Sequence, residues 1–216
     1  MAEPLLSTHD RERAAERRTN VVAHLEADMA GASSEGPAGV SLRAIPFLGQ
    51  IGIRVELGSP AATALETALR VALPKSVGEV ARGAGYEILW LSPDEFLLVT
   101  TPERGGVVDV DDLVDALNGA LGEQPGSVVD LSANRVVLEL SGPSARAVLE
   151  KGCALDLHPR VFQAPSALQS AIGKVPAIIW KSGEERYYVL PRASFADFLV
   201  KWLVDAMREF APREVR

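Results

Sequence analysis

The order of hydrophobic and polar positions predicts short strands interleaved with helices. Residues 51–57 alternate between apolar and polar or small side chains, which is the two-residue period of a half-buried strand. Residues 59–73 predict a capped helix, because a Ser-Pro pair precedes leucines at helical spacing. Two apolar runs within residues 86–101 are joined by a Ser-Pro-Asp turn and predict a hairpin. A helix over residues 111–121, with two aspartates in its first turn, completes this half.

The second half of the chain repeats this order. Residues 136–140 predict a strand, and Ser141-Gly142-Pro143 starts a helix that ends near Lys151-Gly152. Residues 177–190 predict another hairpin. The last helix carries its apolar residues on one face, and Ser194 with Asp197 is expected to form its capping box.

Both halves therefore predict the element order β-α-β-β-α. We interpret this as an α+β fold of duplicated units, in which antiparallel or mixed sheets are covered by helices. A single globular domain over residues 41–216 would comprise similar halves of about 41–130 and 131–216. Because the two halves share few identical residues, convergent patterning is the alternative explanation.

Residues 1–40 have a different character. Their charged start, up to Arg18, is followed by an amphipathic stretch with Val21, Val22, Leu25 and Met29, and the two together predict an N-terminal helix. Residues 30–39 are rich in Gly, Ala and Ser and predict a flexible linker.

Composition narrows the function classes. In 216 residues, 47% are hydrophobic, 24% are charged, and the net charge of −7 disfavours nucleic-acid binding. The mean hydropathy of +0.10 fits either a covered apolar surface or a chain rich in Ala and Val. The lone Cys153 allows no internal disulfide, and neither a signal peptide nor a bilayer-long apolar run is present, so we expect a cytoplasmic protein without a membrane span.

The reactive residues form no recognised catalytic or metal motif. Asp94-Glu95 is better explained as turn chemistry than as an acid–base pair, because neighbouring strand residues point to opposite faces. Cys153 follows a helix end, where the dipole disfavours a thiolate, so we interpret it as a small buried residue. Asp156 and His158 lack a third ligand for a metal. We therefore expect no catalytic, cofactor or metal residue in this chain.

Four polar residues are our candidates for contact with a partner protein. The segment from Val128 onward predicts a strand, a turn and a second strand, and Asn134-Arg135 lies in the turn. The pair is explained equally well as ordinary turn residues or as a guanidinium that binds a partner's carboxylate. His158 and Arg160 follow the helix of the second half and are expected to form hydrogen bonds, either within their loop or at an interface.

Four segments taken together resemble the gamma-subunit family of heterotetrameric sarcosine oxidase. They are LWLSPDEFLL (89–98), VDLSANR (129–135), ELSGPSARAVLEKGCALDLHP (139–159) and SFADFL (194–199) before Trp202. The resemblance spans about residues 42–210, and LSPDEFLLV and LSGPSARAVL are also similar, more distantly, to the folate-binding aminomethyltransferase fold of the glycine cleavage system. In related folate-fold proteins linked to iron–sulfur maintenance, a Lys-Gly-Cys sequence is followed by an aromatic residue, Gly, Gln and Glu. Here Lys151-Gly152-Cys153 is followed by Ala154, Leu155 and Asp156, so that signature is incomplete.

The resemblance implies a small subunit of a bacterial enzyme complex. That complex demethylates sarcosine oxidatively with tetrahydrofolate and oxygen, which gives glycine, 5,10-methylenetetrahydrofolate and hydrogen peroxide. It further implies FAD and covalent FMN in a beta subunit, NAD and a folate-binding region in an alpha subunit, and zinc in a delta subunit. The alpha subunit would be the principal partner.

Two other hypotheses remain open at this point. A stand-alone folate-binding protein or aminomethyltransferase-like enzyme would need a buried carboxylate to hold the pterin, for which Asp130 and Glu139 are the candidates. A transient assembly factor would share the sequence features of a permanent structural subunit, and only stoichiometric presence in the complex would separate those two.

Overall fold

The computed structural model describes residues 18–101 and 108–211. Within them the chain forms ten strands and five α-helices. In chain order these are α1 (Glu26–Ala32), β1 (Ser41–Ile45), β2 (Gln50–Arg54), α2 (Pro60–Leu69), β3 (Val80–Arg82), β4 (Tyr86–Ser92), β5 (Glu95–Thr100), α3 (Val110–Leu121), β6 (Ser127–Asp130), β7 (Val137–Ser141), α4 (Ala145–Glu150), β8 (Ser166–Ile172), β9 (Val175–Gly183), β10 (Arg186–Pro191) and α5 (Ala193–Met207). Short 3₁₀ turns at Ala23–Leu25 and Arg208–Phe210 flank α1 and α5.

The strands form two five-stranded sheets with matching orders. The first sheet runs β3-β4-β5-β2-β6, and the second runs β8-β9-β10-β7-β1. All neighbouring strands are antiparallel. Strands in the same position of the two orders play the same part in the two halves. The duplicated α+β architecture predicted from the sequence is confirmed.

Strands β1 and β6 hold matching outer positions, and each pairs in the sheet that does not contain the next strand of the chain. Strand β1 pairs with β7, with Ser41 opposite Ser141. Strand β6 pairs with β2, with Asp130 opposite Ile51. After Asp130 the chain crosses from the first sheet to the second. The two sheets are interlocked by this exchange.

Alternate residues along the central strands serve two different cores. In β5, Phe96 and Leu98 pack with residues of α2 and α3, whereas Leu97 and Val99 face the second sheet. Strand β10 divides its residues in the same way between α1, α4 and α5 on one side and the first sheet on the other. The described part of the chain is therefore built in four layers, with helices outside both sheets.

Local sequence signals account for where two of the helices start. The Ser59 hydroxyl accepts a hydrogen bond from the Ala62 backbone N–H at 3.1 Å, and Pro60 is the first residue of α2. The Asp109 carboxylate caps α3 in the same way, accepting from the Asp112 N–H at 3.0 Å. These caps satisfy N–H groups that have no partner inside the helix.

The prediction of a capping box for the last helix is wrong. Helix α5 begins at Ala193, one residue before Ser194, and no side chain caps it. The Asp197 carboxylate instead accepts hydrogen bonds from Lys201 Nζ at 2.8 Å and pairs with His24 Nε2 at 2.7 Å. Asp197 therefore joins the N-terminal segment to α5.

The N-terminal segment that the structure describes is part of the second core. Val22, Leu25 and Met29 are each less than 5% exposed and pack with residues of α4, α5 and the second sheet. The residues expected to form a flexible linker include the end of α1 and a closed loop, in which Ser34 and Val40 exchange two backbone hydrogen bonds of 2.8 and 3.1 Å. The loop places β1 at the edge of its sheet. Residues 1–17, the start of the predicted N-terminal helix, lie outside the described residues.

Candidate functional site

The polar residues singled out from the sequence lie on two different segments. Asn134 and Arg135 end the crossover segment, which we define as Asp130–Arg135, between β6 and β7. His158 and Arg160 lie in the loop between α4 and β8. The structure therefore presents two separate polar sites.

The crossover segment uses its first polar groups to hold its own turn and the start of β2. The Asp130 carboxylate accepts hydrogen bonds from the Ser132 N–H at 2.8 Å and the Ser132 hydroxyl at 2.5 Å. The same hydroxyl oxygen accepts the Gln50 backbone N–H at 3.0 Å. Asp130 therefore has a structural role in this chain.

The end of the crossover segment is bound to the second sheet and to α5. The Asn134 carbonyl accepts the Ala193 N–H at 2.9 Å, where α5 begins. Arg135 Nη1 donates to the Leu190 carbonyl at 3.1 Å, and the Arg135 carbonyl accepts Gln50 Nε2 at 2.9 Å. The turn interpretation and the guanidinium interpretation of this pair are thus both compatible with the geometry, because the remaining Arg135 donors are not used by these bonds.

The positive charge of Arg135 is partly desolvated and lies near a second positive charge, that of Arg192. Burial lowers the pKa of its guanidinium from the usual value, the nearby Arg192 lowers it further, and Glu95 acts in the opposite direction. Because the usual value is so high, the group stays protonated. A carboxylate brought to this site would therefore be attracted by the two arginines.

A cavity of about 280 Å³ opens beside the crossover segment, and we call it the crossover cavity. Its walls come from residues 18–21, from the turn between β1 and β2, and from the crossover segment with the start of β7. Val21 and Phe47 at its wall are 53% and 57% exposed. Gln50, also a wall residue, is 1% exposed, and its Oε1 accepts no hydrogen bond from the residues that the structure describes.

Phe47 has an unusual backbone for an aromatic residue. Its φ of 60° lies in the left-handed region, where a side chain with a Cβ is strained. Neither Phe47 nor the cavity was predicted from the sequence. The available signal was a large apolar residue between Pro46 and Leu48-Gly49, where a turn normally carries small or polar residues.

The loop of His158 and Arg160 is held by hydrogen bonds that leave both side chains exposed. The Asp156 carboxylate accepts the His158 N–H at 2.9 Å, and His158 Nδ1 accepts the Arg160 N–H at 3.2 Å. Phe162 anchors the loop, with its ring 6.5 Å from that of Tyr187. His158 and Arg160 are not among the residues that line the crossover cavity.

Lys181 also holds Phe162 in place, through a hydrogen bond to its backbone. Its side chain is buried, its Nζ donates to the Phe162 carbonyl at 2.9 Å, and burial lowers the pKa of its ammonium group. Buried cations need such partners to offset their desolvation.

The acidic candidates for chemistry are held by neighbouring groups. Asp94 accepts the Ser92 hydroxyl at 2.8 Å, whereas Glu95 pairs with Arg54 at 3.1 Å, so the two carboxylates have different partners. Glu139 is 4% exposed and lies 2.9 Å from Arg43 Nε, on the neighbouring strand β1. The described geometry thus explains these groups as structural.

Cys153 and the possible metal ligands follow the same pattern. Burial raises the pKa of the Cys153 thiol, and the side chain packs against the second core. Over residues 18–101 and 108–211, no group of three or more His, Cys, Asp or Glu side chains is placed to hold a metal ion. In the same ranges no helix has the length and apolar character needed to cross a bilayer.

Comparisons with known proteins point to one family. The family model described as "Sarcosine oxidase, gamma subunit family" matches residues 54–209. The chain is 46% identical over 199 residues to the sarcosine oxidase subunit gamma of Corynebacterium sp. (strain U-96), covering 92% of this chain and 94% of that relative. It is 48% identical over 195 residues to the subunit of the same name from Arthrobacter sp, covering 90% and 92%.

Solved structures give the same picture. A chain of the heterotetrameric sarcosine oxidase from Corynebacterium sp. U-96, in complex with pyrrole 2-carboxylate, matches with a TM-score of 0.84 and 46% identity, over 92% of this chain and 99% of that one. The glycine cleavage system aminomethyltransferase T from Bartonella henselae matches with a TM-score of 0.58 and 16% identity, over 85% of this chain and 49% of that one. The latter likeness concerns the fold alone.

Proposed function

The chain belongs to the sarcosine oxidase gamma-subunit family, and on that premise we propose that it is the small, non-catalytic subunit of a heterotetrameric sarcosine oxidase. The complex would demethylate sarcosine oxidatively to glycine, passing the one-carbon unit to tetrahydrofolate as 5,10-methylenetetrahydrofolate and reducing oxygen to hydrogen peroxide. In this assignment the chain contributes to assembly and to the shape of the complex, and the chemistry takes place in the other subunits.

One observation carries the non-catalytic assignment. The carboxylates and the thiol that the sequence offers for chemistry are each bound or buried within the chain's own framework. Glu139, the buried carboxylate that a folate-binding protein would need, lies beside Arg43 at 2.9 Å and Arg186 at 3.9 Å. Glu139 Oε2 accepts no hydrogen bond from a described residue, but 4% exposure and an arginine beside each oxygen leave this carboxylate poorly placed to bind a pterin ring.

We further propose how the complex is divided. The alpha subunit would be the principal partner of this chain and would carry NAD and the folate-binding region. The beta subunit would carry FAD and covalent FMN, and the delta subunit would carry zinc. We place the complex in the cytoplasm, which the single cysteine of this chain supports.

The polar contacts to the partner would come from Asn134, Arg135, His158 and Arg160. Arginine is suited to interfaces because its planar guanidinium forms paired hydrogen bonds with a carboxylate. Arg160 is exposed, whereas Arg135 is partly buried and already bound to the Leu190 carbonyl. Substituting Arg160 therefore tests the interface without disturbing the fold.

Co-expression of this chain with the other three subunits tests the proposal. Native mass spectrometry should find one copy of the chain in a stable complex that holds the flavins, and omission of the chain should reduce the yield of that complex. Arg160→Glu should weaken its retention in the complex, whereas the charge reversal Lys75→Glu, at another exposed position, should not. A complex that forms and turns over equally well without the chain would refute the assignment.

Two further results would favour the other hypotheses. Saturable binding of tetrahydrofolate to the purified chain, measured by calorimetry, would support a folate-binding protein. Presence during assembly but absence from the finished complex would support a transient assembly factor.

A further inference from the structure

We propose that the crossover cavity receives a segment of another subunit of the complex, one that inserts an apolar side chain next to an aspartate or glutamate. This inference rests on the proposed function and adds to it the place of contact and the chemistry of the partner segment. It is carried by the exposed apolar wall, the polar floor and the charge of the cavity.

The apolar wall is the first argument. Val21 is 53% exposed, although its neighbour Val22 is fully buried, and Phe47 is 57% exposed in a left-handed backbone conformation. Both residues line the same cavity but come from different segments of the chain. Large apolar side chains gathered at a concave site mark a place where another molecule excludes water.

The floor provides a hydrogen-bond acceptor that the described residues leave unused. The Gln50 side chain is 1% exposed, and its Nε2 is engaged by the Arg135 carbonyl at 2.9 Å. The other end of the amide, Oε1, accepts no hydrogen bond from a described residue. A peptide segment carries a backbone N–H at almost every residue, and a small shift of the covered Gln50 amide on binding would let one of them donate to Oε1.

Charge distinguishes the partner segment further. The cavity is lined by two arginines, Arg18 and Arg135, against one acidic residue, Asp130, so its lining has a net charge of +1. The chain as a whole has a net charge of −7. Arg192, next to Arg135 in a backbone bridge, adds further positive charge. A carboxylate on the incoming segment would thus complement this site, although most of the chain's surface would repel it.

Assembly measurements with matched variants test the inference. Val21→Asp adds a negative charge that the partner's carboxylate would repel. It should raise the dissociation constant for binding of this chain to the other subunits at least tenfold. Val77→Asp makes the same change at a residue that is 69% exposed and does not line the cavity, so it should change that constant less than twofold. Equal effects of the two variants would overturn the inference.

A cross-linking experiment covers the case in which Val21→Asp fails to fold. A photoreactive benzoylphenylalanine in place of Phe47 should form a cross-link to a peptide of another subunit, and that peptide should contain an aspartate or glutamate near the linked residue. Cross-links confined to this chain, or a bound small molecule at the site in native mass spectrometry, would overturn the proposal.

The outcomes for the two proposals can be told apart. If the unaltered chain does not enter the complex, the proposed function fails. If it enters the complex but the cavity variants behave like Val77→Asp, only the inference about the cavity fails.

Discussion

Gly152 lies directly against an indole ring, which makes it the sharpest test of the packing. A Cβ built on Gly152 would lie 2.5 Å from Trp202 Cζ2 and 2.9 Å from its Cη2. The backbone closes the site as well, because the same Cβ would lie 3.2 Å from the Gly173 backbone N. Trp202 therefore packs against two neighbouring glycines, and Gly152→Ala should force a shift of the indole or of the backbone.

The magnitude follows from two opposing effects. Overpacking a filled site costs about 1–3 kcal/mol, whereas replacing glycine by alanine lowers the entropy of the unfolded chain and returns about 0.4–1 kcal/mol. We expect Gly152→Ala to lower the free energy of unfolding by about 1–2 kcal/mol, or roughly 2–8 °C in melting temperature for a chain of this size. Urea denaturation followed by the combined fluorescence of Trp90, Trp180 and Trp202 measures the stability.

Gly119→Ala is the matched control. Gly119 lies inside α3, and a Cβ there would meet no atom within 4 Å. Because alanine favours a helix more than glycine does, this variant should gain about 0.5–1 kcal/mol. A Gly152→Ala variant as stable as Gly119→Ala would refute the reasoning about the indole. In the Trp202→Ala background the cost of Gly152→Ala should largely disappear.

The remaining predictions concern the loop anchor, the thiol and one surface carboxylate. Phe162→Ala should lower the free energy of unfolding by about 3–5 kcal/mol because the ring is 1% exposed, whereas Val161→Ala, at a residue 66% exposed, should change it by less than about 0.5 kcal/mol; similar values in urea denaturation would contradict the anchor. Cys153 should react with iodoacetamide more slowly at neutral pH than glutathione does, because burial raises the pKa of its thiol; an equal rate would contradict this. Hydrogen bonds from Lys201 and, to a smaller extent, His24 lower the pKa of Asp197. The ionised carboxylate therefore stabilises the fold above the ordinary aspartate pKa of about 4, and this stabilisation is lost as the pH falls through the lowered pKa of the folded state. The stability difference between the wild type and Asp197→Asn should therefore be present at neutral pH and absent near pH 2, and a difference that persists in acid would contradict the pairing.

Local patterns in the sequence were sufficient for most elements but not for their partners. The Ser59 cap, the two hairpins and the leucines of α2 depend on neighbours within a few residues, and the structure has them. The prediction that the helix extends to Leu73 is wrong, because α2 ends at Leu69 and Arg70 takes the left-handed conformation that closes it. Strands β1, β3 and β8 were missed. Strands β1 and β3 are short, with five and three residues, and β8 mixes Ser, Ala and Gln without a clear period. The exchange of β1 and β6 could not be predicted, since periodicity shows that a strand exists and not which strand it pairs with.

The site divides in the same way. The sequence drew attention to residues 129–135, and the structure gives their polar groups structural roles. Asp130 holds the turn at Ser132, Ser132 and Arg135 bind Gln50, and Asn134 binds the start of α5. The crossover cavity escaped notice because its walls come from three segments that are far apart in the chain. Only the folded structure brings Val21 and Phe47 to the same opening.

The exchanged strands impose an order on how the protein can fold as it is synthesised. Strand β6 finds β2 already made, but β1 must wait for β7, since Ser41 pairs with Ser141. At about 5–20 residues per second, a ribosome needs roughly 5–20 s to make the intervening 100 residues. During that time β1 emerges as an unpaired strand, and the buried N-terminal helix has no core to join. A nascent chain released before β7 is made would therefore hold α1 and β1 without the strands and helices against which they pack.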